Sequence, residues 1–167
     1  MKTIISIDPR QSGGLAVKHD GQPVQTFPMP PTEGDLLCLL RQLAADPANT
    51  LAVVEEVSGF VGKAQPGSSA FKFGRGFGFV LGCIQALGVR LELVRPSKWQ
   101  KPLGLGTAST CASKVEWKNK LKAHAQRLYP ALKVTLATAD ALLILDFALR
   151  SSANRSAETG ELSKSRP

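Results

Sequence analysis

The order of secondary-structure elements in the sequence predicts an α/β protein with a five-stranded mixed sheet flanked by helices. Short apolar, β-branched segments alternate with segments whose apolar residues recur at helical spacing. Three strands come first, followed by helix, strand, helix, strand and then only helices, an order that favours helices on both faces of one sheet. The length of 167 residues and the hydrophobic content of 43% are enough for one domain with a single core, predicted over residues 1–150.

The strands are recognised by β-branched and apolar residues that are bounded by turn signals. Gly13-Gly14 and Asp20-Gly21 divide the first three strands into a meander, and the fourth strand is apolar enough to be buried. The predicted strands are residues 2–8, 15–19, 23–27, 51–56 and 90–94.

The helices are limited by capping residues and prolines. Thr32 is a predicted N-cap for the first helix and Thr138 for the last, and Pro96 starts a short turn of helix that holds Trp99. The predicted longer helices are residues 33–45, 69–87, 114–128 and 139–150.

The remaining segments are predicted to lack regular structure. Residues 58–69 and 102–113 are rich in Gly, Ser and other small residues and are predicted loops. The tail, residues 151–167, contains one Leu and no aromatic residue, so it is predicted to be disordered.

The composition excludes several classes of protein. No apolar stretch approaches the roughly 18 residues that a membrane helix needs. Asp8 follows the first apolar residues too soon for a secretory signal. Three widely spaced cysteines, Cys38, Cys83 and Cys111, form no Cys-x-x-Cys pair, and only two histidines could help them to bind zinc. The sequence therefore predicts a soluble protein of a reduced, cytoplasmic compartment.

The formal net charge of +8 is concentrated in one quarter of the chain. Residues 90–133 contain ten basic and two acidic residues, whereas the segments before and after this block are each neutral. Such a block attracts polyanions and favours a nucleic-acid partner. The alternative is a solvated, lysine-rich helix face that only keeps the protein soluble.

Three acids adjoin apolar segments that are predicted to be buried. Asp8 ends the first strand, Glu55 ends the fourth, and Asp140 lies in the first turn of the last helix. Ligands gather at the strand ends of α/β sheets, so these carboxylates could converge, and an all-oxygen ligand set suits Mg²⁺ or Mn²⁺ better than zinc. Beside a polyanion-binding block, they favour a metal-dependent phosphodiester site.

Each of these acids also has a simpler interpretation. Asp8 can start a turn before Pro9, Glu55 can pair with a lysine, and Asp140 can complement the helix dipole. These alternatives stay open at the level of the sequence.

Five segments, in this order along the chain, form a recognisable set. They are Ile-Ile-Ser-Ile-Asp-Pro-Arg-Gln-Ser-Gly-Gly-Leu-Ala-Val (4–17), Val-Val-Glu-Glu-Val (53–57), Ser-Ala-Phe-Lys-Phe-Gly-Arg-Gly-Phe-Gly (69–78), Val-Arg-Pro-Ser-Lys-Trp (94–99) and Ala-Asp-Ala-Leu-Leu-Ile (139–144). Together they resemble the RuvC-type Holliday junction resolvases, especially their phage-like branch. Any one segment is weakly specific, but five in sequence from about residue 3 to residue 150 are quite specific.

The resemblance implies an RNase H-like fold, a homodimer, and symmetric nicking of four-way DNA junctions with two Mg²⁺ ions per site, for which Mn²⁺ can substitute. It implies that Asp8, Glu55 and Asp140 are the catalytic and metal-binding acids. It also places the protein in the cytoplasm of a bacterium or of a phage-infected host cell. The expected products carry a 5′-phosphate and a 3′-hydroxyl.

One position departs from the family pattern. The family usually has a further acid or a histidine three residues before the last Asp, where this chain has Ala137. Glu56 points to the opposite side of its strand from Glu55, and Asp146 lies about 240° around the helix from Asp140. Glu56 and Asp146 are therefore only weak candidates for a catalytic or supporting role.

The expected DNA contacts lie near the active face. Phe60, in the loop after Glu55, is a candidate to press into an opened junction, whereas Phe71, Phe73 and Phe77 are better explained as core or dimer contacts. The predicted phosphate contacts are Lys72, Arg75, Lys98, Lys101, Lys114 and Lys118. The glycine-rich face of helix 69–87 would suit a close dimer contact or, alternatively, tight packing on its own sheet.

Three other functions compete with a resolvase. Actin-like ATPases and sugar kinases open with a similar Asp-containing glycine turn, but they need a second domain for which this chain has no residues. A junction-binding protein with a weakened catalytic site is compatible with Ala137. A related nuclease could act instead on forks, flaps or RNA–DNA hybrids.

Overall fold

The polypeptide forms five strands and five α-helices in the computed structural model, which describes residues 2–56 and 67–164, with side chains as far as residue 154. The strands are β1 (Thr3–Asp8), β2 (Gly14–His19), β3 (Gln25–Pro28), β4 (Thr50–Glu55) and β5 (Arg90–Val94). The helices are α1 (Glu33–Leu43), α2 (Gly67–Ala86), α3 (Pro96–Gln100), α4 (Lys114–Leu128) and α5 (Leu136–Lys164). Short 3₁₀ turns occupy Pro47–Asn49, Lys101–Leu103 and Ala108–Thr110.

The strands form one sheet in the order β3-β2-β1-β4-β5. The meander β1, β2 and β3 is antiparallel, whereas β4 and β5 run parallel to β1. The predicted five-stranded mixed sheet is therefore confirmed. Because β1 and β4 are parallel neighbours at its centre, their carboxyl ends meet at the same edge.

Helices cover both faces of the sheet, as predicted. Alternate residues of a strand face opposite sides. Ile5 and Ile7 of β1 belong to the core under α1 and α2, and Ile4 belongs to the core under α3, α4 and α5. The middle of α5 is buried between the sheet and α4, and each fully buried leucine there, such as Leu142, contributes roughly 2 kcal/mol.

The last helix starts earlier than predicted. It begins at Leu136, so Thr138 is its third residue and not its N-cap. Thr135 precedes the helix: its Oγ1 accepts from the Thr138 backbone N–H at 3.2 Å, and its own N–H donates to Thr138 Oγ1 at 3.1 Å. This reciprocal pair satisfies two backbone donors, as in a capping box. Asp140 consequently lies in the second turn of α5.

The end of α5 also differs from the prediction. The helix does not stop at the predicted Arg150 but continues to Lys164, whereas the disorder of the tail 151–167 stays a prediction. Residues 151–164 are polar, yet they include helix-forming Ala, Glu, Lys and Arg and contain no proline.

None of the described helices is both long and apolar enough to cross a lipid bilayer.

Candidate active site

Three buried carboxylates meet at the edge of the sheet where β1 and β4 end. Ile7 of β1 lies opposite Val54 of β4, so Asp8 and Glu55 end their strands side by side, both on the face covered by α5. Asp140 reaches them from α5. Only 2%, 5% and 1% of the surfaces of Asp8, Glu55 and Asp140 are exposed. The structure thus brings together the three acids that the sequence singled out; their catalytic role stays a prediction.

A buried hydroxyl connects α5 to the strand that carries Asp8. Ser6 is completely buried, and its Oγ donates to the backbone carbonyl of Ala141 at 2.7 Å. Because Ala141 follows Asp140, this hydrogen bond holds Asp140 at a fixed distance from β1. Ser6 was not among the residues predicted for the site.

The turn between β1 and β2 passes very close to Asp8. The Gly13 N–H donates to the Arg10 carbonyl at 2.8 Å. A Cβ atom on Gly13 would lie 2.4 Å from the carbonyl oxygen of Asp8 and 2.6 Å from its Cγ. A Cβ on Gly14 would lie 2.5 Å from the carbonyl oxygen of Phe27. Both positions therefore require glycine for reasons of space, which the sequence predicted only as a turn.

Arg10 places its guanidinium among the three carboxylates. Its Nε donates to Asp8 Oδ1 at 2.8 Å, and one terminal nitrogen donates to Glu55 Oε2 at 3.2 Å and to Asp140 Oδ2 at 2.7 Å. The Arg10 backbone N–H also lies 3.3 Å from Asp8 Oδ1. Arg10 was not among the residues predicted for the site. The sequence feature that could have identified it is a basic residue two positions after a buried acid, separated from that acid by Pro9 in a turn.

Two further side chains hold the carboxylates. Lys118 Nζ forms an ion pair with Asp140 Oδ2, so this residue belongs to the site itself and not only to the predicted phosphate contacts. The buried Trp99 was predicted as core, and it is, but its Nε1 also donates to Glu55 Oε1 at 3.2 Å. Glu55 thus pairs with an arginine and an indole and not with the lysine of the simpler interpretation.

The donor set fits a divalent metal ion in its chemistry. Three carboxylates supply hard oxygen ligands, and Asp140 Oδ1 is buried without a hydrogen-bond partner among the described residues. The present spacing, however, does not form a metal cage: in the described ranges no group of three His, Cys, Asp or Glu side chains is close enough to hold an ion. The guanidinium of Arg10 lies between the acids instead.

The surroundings of the site shift the pKa values of Glu55 and Arg10. Loss of water contact raises the pKa of Glu55 to about 7; the Arg10 cation opposes this rise, and the charges of Asp8 and Asp140 add to it. Burial alone would lower the pKa of Arg10, but its hydrogen bond to Asp8 and the surrounding negative charges outweigh burial and raise it. Arg10 therefore stays charged, while Glu55 takes up a proton near neutral pH.

We expect the metal-free protein to lose stability as the pH rises from about 4.5 to about 7. The folded state holds the Glu55 proton up to a pKa of about 7, whereas the unfolded chain releases it near the ordinary value of 4.5. The contribution is therefore complete below pH 4.5 and lost above pH 7, and amounts to roughly 3 kcal/mol at most.

Urea unfolding in EDTA at pH 5 and pH 8 measures this effect, with Glu55→Gln as the comparison. The variant lacks the titrating group but keeps a side chain of similar size. The wild type should lose more stability than the variant between the two pH values, and an equal loss would contradict the assignment.

The two weak candidates lie outside the cluster of acids. Glu56 follows β4 and pairs with Arg95 at 3.0 Å on the surface. Asp146 pairs with Arg150 at 2.8 Å, one turn further along α5. Ala137 is half-buried in the first turn of α5, where a longer side chain would point along the same face as Asp140.

The predicted DNA-contact residues are mostly exposed. Lys72, Lys98, Lys101 and Lys114 are exposed, whereas Arg75 forms a bidentate ion pair with Glu33 at 3.0 and 3.1 Å. Phe60 lies outside the described residues.

The phenylalanines and glycines of α2 differ in whether they pack against the core or are open to solvent. Phe77 packs against the core under α2, but Phe71 is 72% exposed and contributes nothing to the core. Cβ atoms on Gly74, Gly78 and Gly82 would meet no described atom within 4 Å. These glycines are therefore not needed for close packing of α2 on its own sheet.

The order of the sheet and the position of its acids define the class of fold. A meander continued by two parallel strands, with acids at the ends of β1 and β4 and on a helix across the sheet, is the RNase H-like arrangement. Neither a protein-family model nor a curated protein sequence matches the chain.

Solved structures of RuvC from Thermus thermophilus identify the form of this fold. The chain superimposes on RuvC in complex with a Holliday junction substrate with a TM-score of 0.58 and 18% identity, over 86% of this chain and 90% of that chain. A second Thermus thermophilus RuvC structure gives a TM-score of 0.56 and 19% identity, over 90% and 96% of the two chains. The chain therefore has the RuvC form of the RNase H-like fold.

Proposed function

We propose that this protein is a structure-specific endodeoxyribonuclease that resolves four-way DNA junctions by symmetric nicking. One observation carries the proposal: Asp8, Glu55 and Asp140 converge, buried, at one edge of the sheet. Residues 90–133 include Trp99 and Lys118, which contact Glu55 and Asp140. The net positive charge of this segment supports a polyanionic substrate. The likeness of the fold to RuvC, solved with a Holliday junction substrate, is in agreement.

Asp8, Glu55 and Asp140 are the residues that would hold two Mg²⁺ or Mn²⁺ ions. When bound, such ions supply an activated water and charge stabilisation for the leaving 3′ oxygen of an in-line displacement, which leaves a 5′-phosphate. Trp99 holds one oxygen of Glu55 at 3.2 Å and so limits the rotation of that carboxylate. Lys118 brings a positive charge to Asp140 at the border of the site, where it reduces repulsion between the acids and an approaching phosphate.

The groups that flank the site suggest how DNA approaches it. Lys98 and Lys101 lie on either side of Trp99, which touches Glu55. Lys114 lies one turn before Lys118 on the same face of α4. These exposed lysines would contact phosphates next to the carboxylates and so hold the backbone of one arm against the site.

Charge reversal at Lys98, Lys101 and Lys114 is expected to weaken junction binding about 10- to 100-fold. It should also lower the slope of log affinity against log salt by up to about 3, because each phosphate contact contributes about 0.9. Binding in EDTA at several salt concentrations measures both quantities.

The control for this variant is Lys2→Glu. Lys2 is also exposed, but it precedes the opposite end of β1 from Asp8, roughly 20 Å away. Its reversal should change the salt slope by much less than one of the three lysines does. An unchanged slope in the triple variant would contradict the proposed path of the DNA.

We also propose that the active form is a homodimer, since two symmetric nicks need two sites. The open glycine face of α2 and the exposed Phe71 support a contact between two copies at this helix. Replacing Gly78 by Leu is expected to give a monomer, because the side chain would separate two closely packed helices. Sedimentation measures this change. The substitution favours the helix intrinsically, so a monomer with the helix content and cooperative unfolding of the wild type reports the interface and not unfolding, even when it melts lower because the dimer contact is lost.

A weakened junction-binding protein is the second candidate, and the position of Arg10 among the acids favours it. The test is incubation with an end-labelled four-way junction, the matching linear duplex, a fork, a flap and an RNA–DNA hybrid, each with Mg²⁺ or EDTA. Paired nicks on the junction alone, dependent on metal, support a resolvase. Tight binding without cleavage of any substrate supports the second candidate and refutes the nuclease.

A further inference from the structure

Arg10 contacts one oxygen of each of the three carboxylates. The contacts are with Asp8 Oδ1, Glu55 Oε2 and Asp140 Oδ2, at 2.8, 3.2 and 2.7 Å. The second oxygen of Glu55 accepts from Trp99, and the second oxygen of Asp140 is buried without a partner in the described chain. The guanidinium therefore holds the side of each acid that faces the other two.

A divalent ion and this guanidinium need the same oxygens. Mg²⁺ requires oxygen ligands at about 2.0–2.1 Å, and oxygens at longer distances do not bind it well. Carboxylates that are held 2.7 to 3.2 Å from guanidinium nitrogens are spread around a larger, planar group. The acids could close around a small ion only after the guanidinium had left.

We propose that Arg10 is a built-in counter-ion that competes with a divalent metal ion for Asp8, Glu55 and Asp140. This inference rests on the proposed function, because it concerns how the metal enters that site. In the metal-free protein, Arg10 offsets the repulsion among these three buried acids. When metal binds, the side chain swings out of the cluster.

The position of Arg10 allows such a movement. Its side chain is 36% exposed although its three partners are buried, so part of the side chain already faces solvent. It extends from the turn between β1 and β2, and within the described chain its ion-pair partners are these acids. Arg10 belongs to neither core cluster of the described chain, so its side chain can rotate outwards without uncovering the buried core there.

Lys118 offers a useful contrast. It pairs with Asp140 alone and approaches from α4, at the border of the cluster and not between the acids. Lys118 contacts the same Asp140 Oδ2 atom as Arg10, so it competes with a metal ion for one oxygen, whereas Arg10 competes for one oxygen of each acid. The competition is thus expected to depend mainly on Arg10.

The inference is tested by calorimetric titration of the full chain with Mn²⁺ in the absence of DNA. Arg10→Gln, which removes the charge but keeps a polar side chain, is expected to bind Mn²⁺ at least about tenfold more tightly than the wild type. The matched control is Arg95→Gln, because Arg95 forms a similar ion pair with Glu56 just beyond the end of β4 but outside the cluster. Its Mn²⁺ affinity should stay within about twofold of the wild type.

Thermal unfolding gives an independent readout. Without metal, Arg10→Gln should melt below the wild type, since three carboxylates lose their counter-ion. On addition of Mn²⁺ the variant should gain more in melting temperature than the wild type, because the stabilisation by a ligand of the folded state increases with the logarithm of its affinity. If Arg10→Gln fails to fold without metal, Arg10→Lys serves instead: it keeps the charge but cannot bridge three acids, and should bind Mn²⁺ more tightly than the wild type.

The outcomes separate the two proposals. Equal Mn²⁺ affinity in the wild type and the Arg10 variants, with junction cleavage intact, would overturn the competition and leave the nuclease standing. Failure of every variant to bind Mn²⁺ or to cut a junction would overturn the metal-dependent nuclease and the competition with it. Tighter binding in the Arg10 variants alone, with Arg95→Gln unchanged, would support the competition.

Discussion

Replacing Asp8 by Asn is expected to reduce the rate of junction cleavage at least about 1,000-fold, equivalent to about 4 kcal/mol of transition-state stabilisation. Asp8 ends β1 at the centre of the sheet and is buried beside Glu55 and Asp140. The amide has the same shape but no charge, so it is a poor ligand for a divalent ion. Its oxygen can still accept from Arg10, which keeps the turn after β1 in place.

The measurement is single-turnover cleavage of an end-labelled junction in Mg²⁺, together with junction binding in EDTA. Binding should stay within about threefold of the wild type, because the substitution removes a negative charge that repels phosphate. The control is Asp146→Asn: Asp146 pairs with Arg150 on the same helix as Asp140 but away from the cluster. Asp146→Asn should cut at close to the wild-type rate. An Asp8→Asn protein that cuts within tenfold of the wild type would contradict the assigned site.

The three acids could be predicted from the sequence because two simple rules govern their positions. An acid that ends a buried strand must lie at an edge of the sheet, and strand alternation places Asp8 and Glu55 on one face. An acid near the start of a buried apolar helix that covers that face has to reach the same edge. The period of the strand also made Glu56 only a weak candidate, and the structure places it on the surface with Arg95.

The groups that hold these acids could not be predicted in the same way. Arg10 extends from a turn, and whether its side chain points outwards or back over the sheet depends on the path of Gly13 past Asp8. Trp99 was expected in the core because of its apolar surface, which says nothing of where one indole N–H points. Lys118 was expected to contact DNA because its charge was evident, whereas its distance from Asp140 depends on how α4 packs against α5.

The start of α5 shows a further limit of local rules. Thr138 was the predicted N-cap, and Thr135 was not singled out, although threonine is an equally good capping residue at either position. The structure uses both, with Thr135 ahead of the helix and Thr138 three residues later, each accepting from the backbone N–H of the other. The start of the helix packs against β2, where the carbonyl oxygen of Ala137 approaches Gly14. The helix start therefore depends on a tertiary contact and not on the local sequence alone.

Replacing Gly13 by Ala is expected to lower both stability and activity. The new Cβ would lie 2.4 Å from the Asp8 carbonyl oxygen, which is a backbone atom and can move only if β1 or the turn moves. Overpacking of this kind costs about 3 kcal/mol, equivalent to a fall of roughly 6 to 12 °C in the melting temperature of a domain of this size. The same Cβ would lie 2.6 Å from Asp8 Cγ, so the carboxylate has to shift as well.

A shift of Asp8 should reduce cleavage about 100-fold even at temperatures where the variant is fully folded, because an error of about 1 Å in a catalytic group has an effect of that size. Gly34→Ala is the matched control. Gly34 lies in α1, and the nearest described atom to its Cβ would be 3.9 Å away, so alanine should raise stability by up to about 1 kcal/mol and leave cleavage unchanged. Thermal unfolding and single-turnover cleavage of the two variants measure these effects. If Gly13→Ala melted and cut as the wild type does, the close approach of the turn to Asp8 would not be what positions this carboxylate.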